Sequence, residues 1–338
     1  MGANDFQPAV SVVVPVRNGE ATIGRLLDSL LEVDYDRGKV EVIVVDGNST
    51  DRTRDIVTKY PVKLLTEEGQ GLNAARNTGI RNSGGEIIAF TDSDCLVPGN
   101  WIGEIIKNFR DPQVGCVGGN IKGYGDDLLS RYADNSLMHV MRSFKERVVL
   151  DMIKLFFNYP AGCNMSFRRS SIEKVGYFNE TLRYGADDIE MVERVAKAGG
   201  KIVLDPEVLI LHKHRSTLQE LLKQTFNWGR GGMLLLKKRR NLLFSTWHLV
   251  NLLGFLAGLS MIGALIFLAF TTGLMVFSLA LLGIALTPLL ASAVFYVSKA
   301  PKNRILESAF IYPSIDLLRV FAFCIGEVYQ LFKTEISQ

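Results

Sequence analysis

Runs of apolar, β-branched residues alternate with stretches of helical periodicity through the first part of the chain. The runs that predict buried strands are residues 10–15, 40–45, 62–65, 87–90 and 201–211. Residues 21–31 have apolar side chains at helical spacing. Strands that alternate with helices predict a mostly parallel sheet covered on both faces, so the predicted fold class is α/β.

A second pattern follows, in which apolar residues continue without a break. Between Arg240 and Lys299 there is no Asp, Glu, Lys or Arg. One transmembrane helix needs about 20 apolar residues, so this run is long enough for two. Residues 271–273 supply a turn, which predicts spans near 248–270 and 274–297. The alternative is a helical hairpin buried in a globular core.

The segment 305–332 is also apolar but carries charges. It contains Glu307, Asp316, Arg319 and Glu327. It is either a third span or an amphipathic helix at the membrane interface, and its charges favour the interfacial or re-entrant helix. We therefore predict a soluble domain over 1–231 and a helical membrane domain over 232–338.

Charge and cysteine content refine this organisation. Basic residues flank the two predicted spans, at 237–240 and 299–304, while the turn between the spans is uncharged. The positive-inside rule then predicts a multi-pass protein of the cell membrane with its large N-terminal region in the cytoplasm. No signal peptide is expected before residue 11. The net charge of +3 does not indicate nucleic-acid binding. The cysteines form no C-x-x-C pair, which predicts reduced thiols and no zinc site.

Polar residues follow three of the predicted strands. They lie at 15–18, at Asp46 and at 92–94. Ligands of such sheets bind beyond the carboxyl ends of the strands, so these residues predict one site. Asp92 and Asp94 point the same way, and two like charges need a cation between them. Magnesium or manganese carrying phosphates is the expected cation. Two solvated turn aspartates are the alternative.

Four motifs together resemble a family 2 glycosyltransferase of the GT-A fold. They are residues 11–30, 42–51 and 71–94, with the glycine and A-R-N-x-G helix at 69–79. The likeness covers about residues 10–230. Within this family, the sequence is similar to bacterial and archaeal transferases of exopolysaccharides or lipid-linked glycans. The resemblance implies the following donor-side residues: Pro15, Arg17 and Asp46 beside the nucleotide base, Arg76 holding it, Asp92 near the ribose, and Asp94 at the metal and diphosphate.

The acceptor side carries a further likeness. Residues 187–194 are similar to the family's E-D-x-E-L-x-x-R element, with Asp187 in the Glu position, and this implies that Asp188 is the catalytic base. The alternative is that two aspartates only stabilise the start of a helix. Glu190 and Arg194 are four residues apart and predict an ion pair. The resemblance also brings one of the histidines at 212 and 214 to the metal, with His212 preferred.

The expected activity is an inverting, metal-dependent transfer of a sugar from a nucleoside-diphosphate sugar, UDP before GDP, to a hydroxyl of a polyprenyl-linked glycan. A synthase that glycosylates polyprenyl phosphate is one alternative. A non-catalytic membrane scaffold on a transferase fold is the other. It should have lost an acid among Asp46, Asp92, Asp94 and Asp188, and all four are present.

Overall fold

The chain divides into two compact units in the computed structural model, which describes residues 6–137, 143–153, 159–238, 243–272, 283 and 287–333. The sheet unit comprises Met1–Ser130 and Met141–His214, and the helical unit comprises Arg131–Val140 and Arg215–Gln338. The boundary predicted from the sequence, between residues 231 and 232, falls inside one helix of the second unit. That boundary stays a prediction.

One mixed sheet forms the centre of the sheet unit. Its strands are β1 (Val10–Val16), β2 (Val40–Asp46), β3 (Lys63–Thr66), β4 (Ile87–Phe90), β5 (Cys95–Leu96), β6 (Val114–Gly123), β7 (Val148–Leu150), β8 (Met165–Arg168) and β9 (Lys201–His212). The order is β3-β2-β1-β4-β8-β6-β9-β5, and β7 pairs with β9. All five predicted strands are present.

The sheet is parallel in its first half and mixed beyond it. β1 runs parallel to β2 and β4, and β2 runs parallel to β3. β8 is antiparallel to both β4 and β6, while β6 and β9 are again parallel. β5 and β7 are antiparallel to β9. The α/β class is as predicted, and the carboxyl ends of β1, β2 and β4 meet at one edge.

Helices cover this sheet. They are α1 (Ile23–Leu31), α2 (Thr53–Val57), α3 (Leu72–Arg81), α4 (Trp101–Asn108), α6 (Arg169–Val175) and α7 (Asp187–Lys197). The helix α5 (Leu128–Asn135) begins in this unit and ends in the helical unit. A short 3-10 helix spans Arg37–Lys39. α1 buries Ile23, Leu26, Leu27 and Leu30, the spacing of one helical face. Each such side chain contributes roughly 1.5–3 kcal/mol by leaving water.

α3 lies directly on β1. A side chain at Gly79 would place its Cβ only 2.3 Å from Cγ1 of Val13, so glycine is required for this approach. The same helix carries Arg76 one turn earlier. The close contact therefore fixes Arg76 against the sheet near the carboxyl ends of the strands.

The helical unit is built from long apolar helices. They are α8 (Leu218–Lys238), α9 (Leu243–Thr272), α10 (Thr287–Lys299) and α11 (Tyr312–Phe332), with a 3-10 turn at Lys302–Arg304 and a π-helical turn at Glu307–Ile311. Two described segments, His248–Leu268 and Glu307–Phe332, are long and apolar enough to cross a membrane. The first agrees with the span predicted near 248–270. Most of 274–286, the first half of the other predicted span, lies outside the described residues.

Two charged residues of 305–332, Asp316 and Glu327, have buried partners within the helical unit. Asp316 accepts hydrogen bonds from Tyr132 at 2.5 Å and from Tyr296 at 2.6 Å. Glu327, which is fully buried, lies 2.8 Å from Nδ1 of His248. Ionisable groups within apolar helical bundles face the interior and pair with one another, and these do the same. The charges are therefore compatible with a segment long enough to cross a membrane.

Candidate active site

The residues expected beside a nucleotide base lie on neighbouring strands. Pro15 is buried in β1, and Asp46 ends β2 opposite Val16. Arg17 follows β1 and is exposed. The Asp46 carboxylate is 1% exposed and accepts a hydrogen bond from Nη1 of Arg54 at 3.0 Å. The structure therefore brings Pro15, Arg17 and Asp46 to one edge, while their contact with a base stays a prediction.

The loops after β1 and β2 are joined by Asn18. Its backbone N–H donates to Oγ of Ser49 at 2.9 Å, and its Oδ1 accepts from the backbone N–H of Thr50 at 2.8 Å. Asn18 has a φ of 53°, a conformation that asparagine adopts more readily than most residues. The sequence alone did not distinguish Asn18 from its neighbours. The signal that could have found it is the Asn18-Gly19 pair, which begins two residues after the end of β1, since such pairs mark turns.

Asp92 and Asp94 meet His212 where β5 pairs with β9. Cys95 lies opposite His212 in that pairing, and the backbone N–H of Lys213 donates to the carbonyl of Asp94 at 2.9 Å. Nε2 of His212 is 3.4 Å from Oδ1 of Asp94. One donor atom from each of Asp92, Asp94 and His212 lies within 4.8 Å of the other two. We call these three residues the acid cluster.

The donors of the acid cluster fit a divalent cation. Two carboxylates and an imidazole suit manganese, and the imidazole makes the set less suited to magnesium. His214 is buried and its Nδ1 lies 3.4 Å from Nδ1 of His212. The metal-ligand cluster contains His212 and not His214, which agrees with the preference for His212. Coordination by Asp94 and His212 stays a prediction.

Arg76 is a buried cation whose charge acts on both the acid cluster and Asp188. It is 2% exposed, forms an ion pair with Asp187, and its guanidinium lies 5.3 Å from the centre of the Phe178 ring. Burial acts to lower the pKa of Arg76, but the carboxylates of Asp187, Asp92 and Asp188 outweigh it and the pKa is raised. A charged Arg76 thus connects the acid cluster with the start of α7. Its contact with the nucleotide stays a prediction.

Asp188 is held at the start of α7. One carboxylate oxygen accepts from the backbone N–H of Gly162 at 3.2 Å, and the other accepts from Ile189 at 2.8 Å. Ala186, just before the helix, is left-handed with a φ of 64°. Asp188 is half-buried, whereas Asp187 is turned inward to Arg76. The two neighbouring acids therefore have different surroundings, and Asp188 is the one open to a reactant.

The predicted ion pair one turn later is present. Oε1 of Glu190 lies 2.9 Å from Nε of Arg194. Arg194 also donates to the carbonyls of Val175, Gly176 and Tyr177. Arg194 thereby joins α7 to the end of α6 and the loop that follows it, and Glu190 holds the Arg194 guanidinium in place for these contacts.

We expect Asp187→Asn to lower the free energy of unfolding by about 3–5 kcal/mol, because it removes the ion-pair partner of the buried Arg76 and leaves only the carboxylates of Asp92 and Asp188 to offset its charge. The matched control is Glu86→Gln, which breaks the Arg168–Glu86 pair, whose glutamate is 52% exposed. Exposed pairs contribute under about 1 kcal/mol. Denaturant unfolding of the detergent-solubilised chain measures both. A loss in Asp187→Asn no larger than in the control would contradict a structural role for the Arg76–Asp187 pair.

Comparison with protein families assigns most of the sheet unit. The model described as glycosyl transferase family 2 matches residues 11–176. A second model, described as the N-terminal domain of galactosyltransferase, matches residues 147–214. Together they cover the acid cluster, Arg76 and Asp188.

Individual relatives agree. Glycosyltransferase AglE of Haloferax volcanii is 31% identical over 260 residues, which are 73% of this chain and 82% of that protein. A Methanococcus voltae enzyme, dolichyl N-acetyl-α-D-glucosaminyl phosphate 3-β-D-2,3-diacetamido-2,3-dideoxy-β-D-glucuronosyltransferase, is 22% identical over 261 residues, covering 68% of this chain and 74% of that enzyme.

A solved structure shows the same fold. It is the mannosyltransferase PcManGT of Pyrobaculum calidifontis in complex with GDP-Man and Mn²⁺. The TM-score is 0.68 at 22% identity, over 98% of this chain and 89% of that one. This chain therefore belongs to glycosyl transferase family 2, on a GT-A fold.

Proposed function

We propose that this protein is an inverting transferase that moves a sugar from a nucleoside-diphosphate sugar to a hydroxyl of a polyprenyl-linked glycan. The observation that carries the proposal is the position of Arg76. Its guanidinium interacts electrostatically with Asp92 of the acid cluster and with Asp188. A donor-side acid and an acceptor-side acid thus lie around one buried cation.

The donor half of the site follows from the edge of the sheet. Pro15, Arg17 and Asp46 border the base, and Asp92 lies toward the ribose. Asp94 and His212 would hold a divalent metal, whose chemistry is to neutralise charge on the departing diphosphate. Arg76 keeps a positive charge beneath the acids and so limits their mutual repulsion before a donor binds.

The acceptor half depends on Asp188. Its carboxylate is held by two backbone N–H groups, at Gly162 and Ile189, yet remains half-buried rather than enclosed. There it takes the proton from the acceptor hydroxyl as the oxygen attacks the anomeric carbon opposite the departing diphosphate. A single displacement inverts the configuration at that carbon. General-base assistance of this kind contributes roughly 10²–10⁴-fold.

The helical unit supports a lipid-linked acceptor. Apolar side chains of α9 are widely exposed, with Phe267 at 69% and Phe270 at 87%. Apolar surface on this scale marks a membrane or partner surface. The Methanococcus voltae relative is named for a dolichyl-linked sugar acceptor. We extend that chemistry to this chain as a polyprenyl-linked sugar.

Orientation in the membrane follows from the basic flanks. Lys237 and Lys238 precede α9, Lys299 is the last residue of α10, and Lys302 and Arg304 follow that helix. We propose a multi-pass protein of the cell membrane with both flanks, and with them the sheet unit, on the cytoplasmic side. Nucleotide sugars would then reach the site from the cytoplasm.

The test is donor turnover by the detergent-solubilised chain with Mn²⁺ and a panel of UDP- and GDP-sugars. Each donor is supplied with no acceptor, with polyprenyl phosphate, or with a polyprenyl-linked sugar. We expect release of one nucleoside diphosphate, UDP before GDP, that depends on the polyprenyl-linked sugar and is lost on chelation of the metal.

The alternatives give different outcomes in the same assay. Transfer to polyprenyl phosphate alone would identify the lipid-phosphate synthase, because a phosphate oxygen needs no base. No release from any donor, with no metal-dependent nucleotide binding, would identify a non-catalytic scaffold. Nuclear magnetic resonance of the product measures the anomeric configuration, and retention would contradict the single displacement.

A further inference from the structure

Two thiols and an imidazole are buried together beside the acid cluster. Cys95, Cys163 and His212 are 1%, 6% and 4% exposed. One donor atom of each lies within 4.8 Å of the other two. The neighbouring Cys95 thiol, together with burial, raises the pKa of the Cys163 thiol well above its ordinary value. Cysteine sulfur and histidine nitrogen are ligands that zinc prefers.

The fold assembles these donors from three separate segments. The β5–β9 pairing sets Cys95 opposite His212, and Cys163 lies just before β8. The lack of a C-x-x-C pair predicted no zinc site, because that spacing rule detects only ligands that are near in sequence. Strand pairing supplies the proximity that the sequence spacing does not.

We propose that Cys95, Cys163 and His212 form a second metal site, which binds zinc and withdraws His212 from the acid cluster. Two thiolates and a neutral imidazole balance the charge of Zn²⁺, and a neutral complex suits a buried position. Thiolates also discriminate against magnesium and manganese, which prefer oxygen ligands. A water molecule completes the tetrahedron and keeps the complex neutral.

A buried free cysteine is usually only a small apolar residue of the core, and Cys116 is an example. It is 0% exposed in β6, and burial raises the pKa of its thiol well above the ordinary value. Among the described residues, the clusters able to hold a metal include Cys95 and Cys163 but not Cys116. Cys116 therefore provides a matched control in the same unit.

Sharing of His212 connects the two sites. Nε2 of His212 is 3.4 Å from Oδ1 of Asp94, and one ring nitrogen lies within 4.8 Å of both sulfurs, so the two clusters share this imidazole. When zinc holds His212, the acid cluster keeps only its two carboxylates for a harder cation. Zinc then inhibits transfer at saturating nucleotide sugar, a consequence that rests on the proposed function. Binding itself does not depend on that function.

The test uses cobalt as a spectroscopic substitute for zinc on the metal-free, detergent-solubilised full chain. We expect one Co²⁺ to bind with a thiolate-to-cobalt charge-transfer band, and stoichiometric Zn²⁺ to remove the band. Cys95→Ser and Cys163→Ser should each lose the band and weaken zinc binding by more than about 100-fold, since even outer partners of metal ligands change affinity 10–100-fold. Cys116→Ser should behave as the wild type.

Thermal unfolding and Mn²⁺ binding, measured on the same samples, exclude misfolded variants. Loss of the band with both properties retained supports the site. A wild-type chain without the band, or a band that survives in both Cys95→Ser and Cys163→Ser, overturns it. Zinc inhibition of Mn²⁺-dependent donor turnover that persists in both variants overturns the withdrawal of His212. A charge-transfer band in a chain that turns over no donor supports the zinc site. That result contradicts only the proposed transferase function.

Discussion

Asp188→Asn is expected to lower the rate of sugar transfer by about 10²–10⁴-fold and to leave donor affinity nearly unchanged. Asparagine keeps the size of the side chain and an oxygen that accepts from the N–H of Gly162, which is 3.2 Å away in the native chain. It cannot accept a proton from the acceptor hydroxyl. The rate with bound substrates therefore falls while the donor side of the site stays intact.

The measurement separates the rate constant from donor binding, by steady-state turnover and by titration of the nucleoside diphosphate. Asp127→Asn is the matched control, because Asp127 also accepts backbone N–H groups at a helix start, those of Leu129 and Ser130. It should retain wild-type turnover, since asparagine caps helices about as well as aspartate. An Asp188→Asn variant within roughly tenfold of wild type would rule out the base assignment.

Asp94→Asn is expected to weaken Mn²⁺ binding and to lower transfer by about 10²–10³-fold, the usual effect of losing one group that stabilises developing charge. The Oδ1 atom of Asp94, the second acid of the D-x-D motif, lies 3.4 Å from Nε2 of His212. The carboxylate of Asp92 helps to raise the pKa of the buried Arg76. Asp92→Asn should therefore weaken Mn²⁺ binding less than Asp94→Asn.

Electron paramagnetic resonance of Mn²⁺ in the presence of nucleoside diphosphate measures binding without any need for turnover. The control is Asp111→Asn, a surface acid 3.5 Å from Lys201, which should bind Mn²⁺ and turn over as the wild type does. The opposite result would be wild-type Mn²⁺ affinity in Asp94→Asn and loss of that affinity in Asp92→Asn. It would identify Asp92, and not Asp94, as the principal metal ligand.

Local patterns predicted much of this fold. Runs of valine and isoleucine identify β1, β2 and β4, because buried parallel strands need apolar residues on both faces. The i,i+2 spacing of Asp92 and Asp94 identified the acid cluster, and the i,i+4 spacing identified the Glu190–Arg194 pair. Each of these signals acts within one element or at its end.

Contacts between distant segments could not be predicted in this way. Arg76 and Asp187 are 111 positions apart, and nothing in the sequence indicated that the second would neutralise the first. Asp316 and Tyr132 are 184 positions apart. The charges of 305–332 therefore favoured an interfacial helix, whereas the structure gives them polar partners inside the helical unit. Strand register, which sets Cys95 opposite His212, is likewise a tertiary property.

In the donor site proposed above, Asn18 couples the two loops that would set donor preference. Both strand-end loops share its hydrogen bonds, one to Ser49 and one from Thr50. Grafting either loop alone from a homologue that prefers another nucleotide would sever those bonds and misplace the untouched partner. Chimeric enzymes of this type must exchange the two loops as a single cassette, together with the asparagine that joins them.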